Sequence, residues 1–189
     1  MAADSAQNLL DALAKQGLKP PVLQFALYQA ANESGDFTSH VFTAANNALG
    51  IQFVNQATAY DSTIKKSDGG TFAGYANFDD LATDFIRVIS RQRADNTIGA
   101  PINATDLQDY VNRLDANNYF GDGDPADYLA ALQRYQRKYQ NLTPTVEAPK
   151  PLLSLPASVT SHEKLVIAIT VTVIILGLLF LITKKQTKK

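Results

Sequence analysis

The longest apolar run in the chain, LVIAITVTVIILGLLFLIT, sets the first limit on how the chain can fold. It extends from Leu165 to Thr183 without a charged side chain, and as an α-helix it would be about 28 Å long, close to the thickness of a bilayer's hydrocarbon core. A buried core helix of this length would need a large protein around it, but only six residues follow the run. The run therefore predicts one transmembrane helix, with the lipid bilayer as its partner.

The residues that follow this run are strongly basic. Four lysines, Lys184, Lys185, Lys188 and Lys189, lie in a tail at 184–189. Lysines beside a span are typical of its cytoplasmic or interior side, so the tail is predicted to lie inside and the rest of the chain on the opposite side. The N-terminus has no basic start followed by an apolar run, and no signal peptide is predicted.

The composition of residues 1–160 excludes several classes of function. They carry twelve Lys or Arg and seventeen Asp or Glu, an acidic balance that does not favour nucleic-acid binding. The chain has no cysteine, which excludes disulfides, a thiolate nucleophile and a cysteine-based zinc site. Its only histidines are His40 and His162, too few for a histidine-rich metal centre. We therefore expect no nucleic acid, metal or cofactor as a partner.

The part of the chain before the apolar run divides into one domain and a linker. Half of the eight prolines fall between residues 140 and 161, which predicts an extended, semi-rigid linker. Residues 1–139 are enough for one domain with a single core. Apolar periodicity and capping residues predict five helices in this domain. They begin at Asp4 or Ser5, near Pro21, after Asn77, after Thr105, and after Asp124 with Pro125, while Gly17 and Gly35 end the first two.

A strand-rich segment separates the second and third of these helices. Residues 50–75 read GIQFVNQATAYDSTIKKSDGGTFAGY, a sequence that alternates and is rich in β-branched and aromatic residues. Asp68, Gly69 and Gly70 are typical of a turn. A β-hairpin lobe is therefore predicted, and the fold class is α+β, mainly helical.

Glu33 is the only glutamate of the predicted domain, since Glu147 lies in the linker and Glu163 beside the apolar run. It falls in the last turn of the second helix, where the negative end of the helix dipole disfavours a carboxylate. Aromatic neighbours such as Phe37 would further desolvate it. Both effects raise the pKa of a carboxyl group, as a general acid near neutral pH requires.

Four blocks of the sequence resemble, in order, signature segments of the glucosaminidase family of peptidoglycan hydrolases, over residues 20–139. QAANESGDF is similar to QAxxESGWG, NNALGIQF to NNLFGIK, TFAGYANFDDLATDF to FRxYxSxxESFxDY, and NNYFGDGDPADYLAAL to GYATDPxYAxKL. The resemblance implies a lysozyme-like fold. It also implies a glycoside hydrolase that cleaves the glycan strand of bacterial peptidoglycan, as an endo-β-N-acetylglucosaminidase.

The resemblance further assigns roles to individual residues. It implies that Glu33 is the catalytic acid and that Tyr119 lies at the cleft. Family members usually carry a second acidic residue in the hairpin lobe, often glutamate; Asp61 and Asp68 are the carboxylates available here, and Asp61 is the candidate. The alternative is substrate-assisted catalysis, in which the acetamido group of the sugar attacks the anomeric carbon. Five residues are implied to border the sugar subsites: Asn47, Gly50, Ile51, Gln52 and Tyr75.

Other functions remain open at this point. A muramidase or a lytic transglycosylase would use the same glutamate at a helix end. A non-catalytic module that binds peptidoglycan, or that joins a membrane to a protein shell, would keep the fold without needing Glu33 as an acid. A holin-like membrane lesion protein is a third class, but one span with a large folded domain is poorly suited to form a pore. The role of Glu33 discriminates between the first two classes.

The predicted anchor leaves two settings. One is the bacterial envelope. The other is the membrane of a lipid-containing virus such as a bacteriophage, because nothing in the sequence would export a domain ahead of its C-terminal anchor. There the chain would be a virion component, with virion or envelope proteins as further partners. Both settings predict a single-pass membrane protein whose lysine tail lies on the interior side.

Overall fold

The computed structural model of the chain describes residues 2–67, 69–120 and 123–146. All of these belong to one structural unit, Met1–Pro149. The predicted transmembrane helix at 165–183, the basic tail at 184–189 and the linker from residue 147 onward lie outside the described residues. Within the described ranges, no helix is both long enough and apolar enough to cross a membrane.

The described residues form six α-helices and one two-stranded antiparallel sheet, in the mainly helical α+β class that the sequence predicts. A short 3₁₀ turn, Pro101–Asn103, precedes the fifth helix. In chain order the elements are α1 (Ala2–Lys15), α2 (Val22–Glu33), α3 (His40–Ala45), β1 (Tyr60–Lys65), β2 (Thr71–Gly74), α4 (Phe78–Ile89), α5 (Leu107–Ala116) and α6 (Pro125–Tyr139).

Helix α2 is the centre of the fold. It packs against α1, α5 and α6, and most of its residues are buried. Its sequence, VLQFALYQAANE, has apolar or small residues on all sides, so no face of the helix prefers solvent. Full burial of a side chain such as Leu23 or Leu27 contributes about 1.5 to 3 kcal/mol. The only charged residue of this buried helix is its last, Glu33.

The predicted β-hairpin is present but shorter than the segment that predicts it. Strand β1 pairs with β2 with Tyr60 opposite Gly74. A β-carbon at Gly74 would come within 2.4 Å of the Tyr60 ring, so any larger residue would displace that ring. The Lys66 N–H donates to the Gly70 carbonyl at 2.9 Å across the turn, whose Asp68 lies outside the described residues. The segment before β1 is irregular except for one bridge to β2.

Several predicted helix ends are confirmed. Helix α2 ends at Glu33, and Gly35 follows in the left-handed conformation with a φ of 56°. Asn77 caps α4, since its side chain accepts a hydrogen bond from the Asp80 N–H at 2.9 Å. The Asp124 carboxylate caps α6 in the same way, because it accepts a hydrogen bond from the Ala126 N–H at 2.8 Å. Capping side chains and a glycine after the last turn fix these helix ends, and both can be recognised in the sequence.

Two predicted caps are wrong. Helix α1 begins before Asp4 and Ser5, so both lie inside its first turns. Helix α5 is capped by Asp106, whose carboxylate accepts from the Asp109 N–H at 2.8 Å. Thr105 precedes this cap, and its own N–H donates to the Asp109 carboxylate at 2.9 Å. This reciprocal pair resembles a capping box. Helix α5 therefore begins one residue later than the predicted Thr105 cap would place it.

The first residues of the predicted linker contact the domain. The side-chain amide of Gln7 donates to the Thr143 carbonyl at 3.0 Å. The Asp11 carboxylate accepts from the N–H of Thr145 at 2.7 Å and from its hydroxyl at 2.5 Å. The chain up to residue 146 therefore lies along α1.

Candidate active site

A left-handed turn fixes the end of α2 and the direction of Glu33. Gly35, Asp36 and Phe37 have φ angles of 56°, 61° and 65°. Positive φ at two consecutive non-glycine residues is strained, so the surrounding contacts must hold it in place. The buried Ser34 hydroxyl supplies one such contact by accepting from the Phe37 N–H at 2.8 Å. The chain thus reverses directly after Glu33.

Helix α6 fastens this turn through Asp36. The Tyr139 hydroxyl donates to the Asp36 carboxylate at 2.6 Å, and Lys138 forms an ion pair with it. Burial alone would raise the pKa of Asp36, but the hydrogen bonds from Lys138 and Tyr139 outweigh it and hold the pKa below its usual value. Asp36 is therefore an ionised anchor between the α2 turn and α6.

Glu33 itself is partly buried, and one of its oxygens is held. The Tyr128 hydroxyl, from α6, donates to Glu33 Oε1 at 2.6 Å. Burial raises the pKa of Glu33 above its usual value, and the hydrogen bonds from Tyr128 and the Asn32 side chain offset only part of that rise. A raised pKa favours the protonated carboxylic acid, as the sequence predicts for a general acid.

Three tyrosines surround Glu33: Tyr110 on α5, Tyr119 after α5 and Tyr128 on α6. Burial raises the pKa of all three hydroxyls, and the nearby Glu33 carboxylate raises each further. They therefore stay neutral and act as hydrogen-bond donors. The Tyr110 hydroxyl donates to Gln29 on α2 at 2.5 Å. The Tyr119 hydroxyl donates to the backbone carbonyl of Leu49 at a longer 3.4 Å.

A groove of about 350 Å³ opens beside Glu33, a size typical of small-ligand clefts. Two further cavities, of about 370 and 200 Å³, share lining residues with it and adjoin it as extensions. Among the described residues, no three His, Cys, Asp or Glu side chains are grouped so that they could hold a metal ion. The groove beside Glu33 is lined by Glu33, Leu49, Gly50, Ile51, Gln52, Val54, Arg87, Val88, Arg91 and Tyr119.

Four predicted site residues line this groove together with Glu33: Gly50, Ile51, Gln52 and Tyr119. Gly50 has a φ of 62°, which glycine adopts at little cost. A β-carbon at this position would lie 4.0 Å from Glu33 Oε2. Oε2 therefore faces the groove wall formed by Gly50, while Oε1 faces Tyr128.

Two other predicted substrate-binding residues lie behind the groove. Asn47 is buried; its amide donates to the carbonyls of Ile51 at 2.8 Å and Ala73 at 2.9 Å, and its oxygen accepts from the Ile51 N–H at 3.1 Å. Tyr75 is also buried, and its hydroxyl donates to Asp84 at 2.7 Å. Neither residue is among those that line the groove, although Asn47 holds the backbone of Ile51, which does.

Asp61, the predicted second carboxylate, lies on the exposed strand β1 opposite Ala73. Its carboxylate accepts from the Thr63 N–H at 2.9 Å, and this bond, with one from the Thr71 side chain, lowers the pKa of Asp61. Asp61 is not among the residues that line the groove beside Glu33.

Tyr128 recurs with Leu129, Leu132 and Tyr135 at helical spacing, a pattern that indicates the packing face of a helix and not a site residue. It lies in the fourth block of the family resemblance, and that block is the only signal that could have identified it. Its contact with Glu33 joins residues 95 positions apart in the chain. Arg87 and Arg91 also line the groove, and no sequence signal marks them: Arg87 lies in the last turn of the amphipathic helix α4 and Arg91 two residues after its end, positions where arginines are usually solvated.

The family model of Glucosaminidase, described as mannosyl-glycoprotein endo-beta-N-acetylglucosaminidase, matches residues 6–148. Among curated protein sequences, none is significantly similar to the chain.

Two solved structures share the fold at low sequence identity. A peptidoglycan hydrolase from Sphingomonas sp. A1 is 19% identical, with a TM-score of 0.55 over 81% of this chain and 100% of that one. The glycoside hydrolase domain from Salmonella typhimurium FlgJ is 17% identical, with a TM-score of 0.53 over 74% of this chain and 91% of that one. At these identities the likeness shows the fold alone.

Proposed function

Since the chain belongs to the glucosaminidase family of glycoside hydrolases, whose model matches residues 6–148, we propose that it cleaves the glycan strand of bacterial peptidoglycan as an endo-β-N-acetylglucosaminidase. One observation carries the proposal: a partly buried glutamate with a raised pKa lies at the end of a buried helix and lines a groove of ligand size. The Sphingomonas relative of similar fold, itself a peptidoglycan hydrolase, supports the choice of substrate.

In this proposal Glu33 is the general acid. Hydrolysis of a glycosidic bond requires a carboxylic acid that donates its proton to the leaving oxygen. Tyr128 holds Oε1 by donating to it, so the proton is expected on Oε2, on the side of Gly50 and the groove. The neutral hydroxyl of Tyr119 lines the same groove and can donate a hydrogen bond to the bound sugar.

The second catalytic group is proposed to come from the substrate. Among the described residues, the only carboxylate besides Glu33 that lines the groove or its extensions is Asp84, which is buried and paired with Arg87. The acetamido oxygen of the sugar would therefore bond to the anomeric carbon as the glycosidic bond breaks and the leaving oxygen takes the proton from Glu33. Water then opens the cyclic intermediate, with the Glu33 carboxylate as its base.

Asp61→Asn tests whether the second catalytic group comes from the substrate or from Asp61. We expect the substitution to change the rate of sacculus clearing by less than about threefold, because Asp61 is exposed on β1 and outside the groove lining. The measurement is the initial rate of turbidity loss with purified sacculi. A loss as large as that of a Glu33 variant would instead identify Asp61 as an essential second carboxylate.

Tyr128→Phe tests how Glu33 is held. The Tyr128 hydrogen bond stabilises the carboxylate and lowers its pKa, so removing the hydroxyl should raise the pKa of Glu33 further. A general acid loses activity as pH rises through its pKa, so the alkaline limb of the pH–rate profile should move to higher pH. We also expect kcat to fall by about tenfold because the carboxyl group is less well oriented.

The matched control is Tyr135→Phe, which removes a hydroxyl from the same helix. Tyr135 stacks on Tyr139 and does not line the groove. The pH–rate profile of the Tyr135→Phe variant should overlay that of the parent. If the Tyr128 variant also keeps the parent's alkaline limb, the hydrogen bond to Glu33 has no role in setting its acidity.

The products distinguish the proposed reaction from its alternatives. Mass spectrometry of glycan fragments released from sacculi should find new reducing ends on N-acetylglucosamine. Reducing ends on N-acetylmuramic acid would indicate a muramidase, and anhydro-muramic acid ends a lytic transglycosylase. Binding to sacculi with no fragments released would favour the non-catalytic module.

We also propose that the chain is anchored in a membrane through residues 165–183, in a bacterial envelope or in the lipid membrane of a bacteriophage virion. The support is the apolar run and the lysine tail of the sequence. Protease added outside intact cells or particles should remove the domain and spare the tail. Digestion of the tail with protection of the domain would reverse the topology, and full solubility of the monomeric chain without detergent would contradict the anchor.

A further inference from the structure

Arg91 lies where the groove and its two extensions meet. It lines the cavity beside Glu33, the cavity beside Val54 and Thr83, and the cavity beside Asn117. It is the one described residue common to all three linings. A ligand that extends from the groove into either neighbouring cavity therefore enters a space that Arg91 also lines.

The Arg91 guanidinium has no hydrogen bond or ion pair within residues 2–67, 69–120 and 123–146, whereas its neighbours are paired. Arg93 forms an exposed ion pair with Asp95. Arg87 binds Asp84 through Nε at 2.6 Å and through one Nη, which leaves three of its five N–H donors unused. Arg87 shares two of the three cavity linings with Arg91.

The charge of the groove contrasts with that of the surrounding chain. Residues 1–160 carry five more acidic than basic residues, yet the groove and its extensions contain three arginines. The two carboxylates in the same linings are Glu33, whose raised pKa favours its neutral form, and Asp84, which is already paired with Arg87. Arg91 therefore contributes an uncompensated positive charge to the groove lining, next to the unused donors of Arg87.

We infer that Arg91, with the unused donors of Arg87, binds a carboxylate of the substrate beside the sugar held at Glu33. This inference rests on the proposed function and names the substrate more closely: a glycan that carries carboxylates, as opposed to a neutral N-acetylglucosamine polymer. Two carboxylate sources exist on peptidoglycan, the lactyl group of muramic acid when it bears no peptide, and the free carboxylates of the stem peptide. The planar guanidinium fork of arginine matches either.

The test measures binding by the full-length chain carrying Glu33→Gln, so that the ligand is not cleaved. Three soluble glycan ligands are compared: fragments with stem peptides, the same fragments after an amidase has removed the peptides and exposed the lactyl carboxylates, and fragments whose carboxylates are chemically amidated. Arg91→Gln is added to this background. The matched control is Arg134→Gln, which removes the same charge from an exposed position on α6.

We expect Arg91→Gln to weaken binding of at least one carboxylate-bearing ligand by about tenfold, and binding of the amidated ligand by less than about twofold. If Arg91→Gln weakens binding of the peptide-bearing fragments alone, the carboxylate that Arg91 binds belongs to the stem peptide. If it weakens binding of the amidase-treated fragments, that carboxylate belongs to the lactyl group. Arg134→Gln should change none of them. Unchanged binding of both carboxylate ligands, or an equal loss with the amidated one, would overturn the inference.

Cleavage of sacculi by the parent chain is measured in parallel, so the two claims can fail separately. If the parent cleaves sacculi but ligand binding does not depend on Arg91, the inferred carboxylate site is contradicted and the proposed hydrolase function is supported. If the parent does not cleave sacculi but ligand binding requires Arg91, the inferred carboxylate site is supported and the proposed hydrolase function is contradicted.

Discussion

Glu33→Gln should lower the rate of sacculus clearing by about 10²- to 10⁴-fold, the range that general acid catalysis contributes. The substitution keeps the shape of the side chain and an oxygen that can still accept the Tyr128 hydrogen bond, but it removes the proton that the leaving oxygen requires. The loss should appear in kcat, and binding of sacculi should survive. The matched control is Asp115→Asn, on an exposed position of α5, which should clear sacculi at the parent rate.

The same variant should not be less stable than the parent at neutral pH. Burial raises the pKa of Glu33, so its contribution to stability is fully present below the pKa of the unfolded chain and is lost as pH rises through the folded pKa. An uncharged glutamine avoids that loss. We expect the melting temperature at neutral pH to match or exceed that of the parent. A markedly lower melting temperature would mean that lost activity reports unfolding.

Asp84→Ala should lower the free energy of unfolding by about 3 kcal/mol. The Asp84 carboxylate is almost fully buried and accepts from the Tyr75 hydroxyl at 2.7 Å, from the Gln56 amide at 3.0 Å and from Arg87 Nε at 2.6 Å. Removing it leaves the buried hydroxyl of Tyr75 without its acceptor. Arg87 is partly exposed and can rehydrate, which keeps the expected loss near the lower end for a broken buried ion pair.

Urea denaturation of the parent and the Asp84 variant measures this loss. Tyr75→Phe is the graded control, because it removes one donor and leaves the other partners of Asp84 in place; we expect a loss of about 1 kcal/mol. Since Tyr75 follows strand β2 and Asp84 lies on α4, the network joins the hairpin lobe to the helical part. Equal urea midpoints for the parent and Asp84→Ala would show that this network does not stabilise the fold.

The parts of the fold that could be predicted from the sequence are those with local causes. The apolar composition of α2, the break before it and Gly35 after it fix a buried helix that ends at Glu33. Caps at Asn77 and Asp124 fix the starts of α4 and α6 in the same way. By contrast, α3 has only six residues, too few for an apolar period to be visible.

The rest of the site depends on contacts between distant segments. Tyr128 has the spacing of a core residue, and only the packing of α6 against α2 brings its hydroxyl to Glu33. Asp84 belongs to an amphipathic helix with several acids, and nothing local marks it as the buried one. Gly50, which the resemblance assigns to the sugar subsites, lines the groove, while Asn47 from the same block turns inward to bind backbone.

The most direct test of Glu33 as the acid of a glycan hydrolase is mass spectrometry of the fragments that the full-length parent and its Glu33→Gln variant release from the same purified sacculi. If Glu33 is that acid, the parent should release fragments with new N-acetylglucosamine reducing ends and the variant almost none. Equal release by both chains, or no release by the parent, would contradict the role of Glu33 as a catalytic acid.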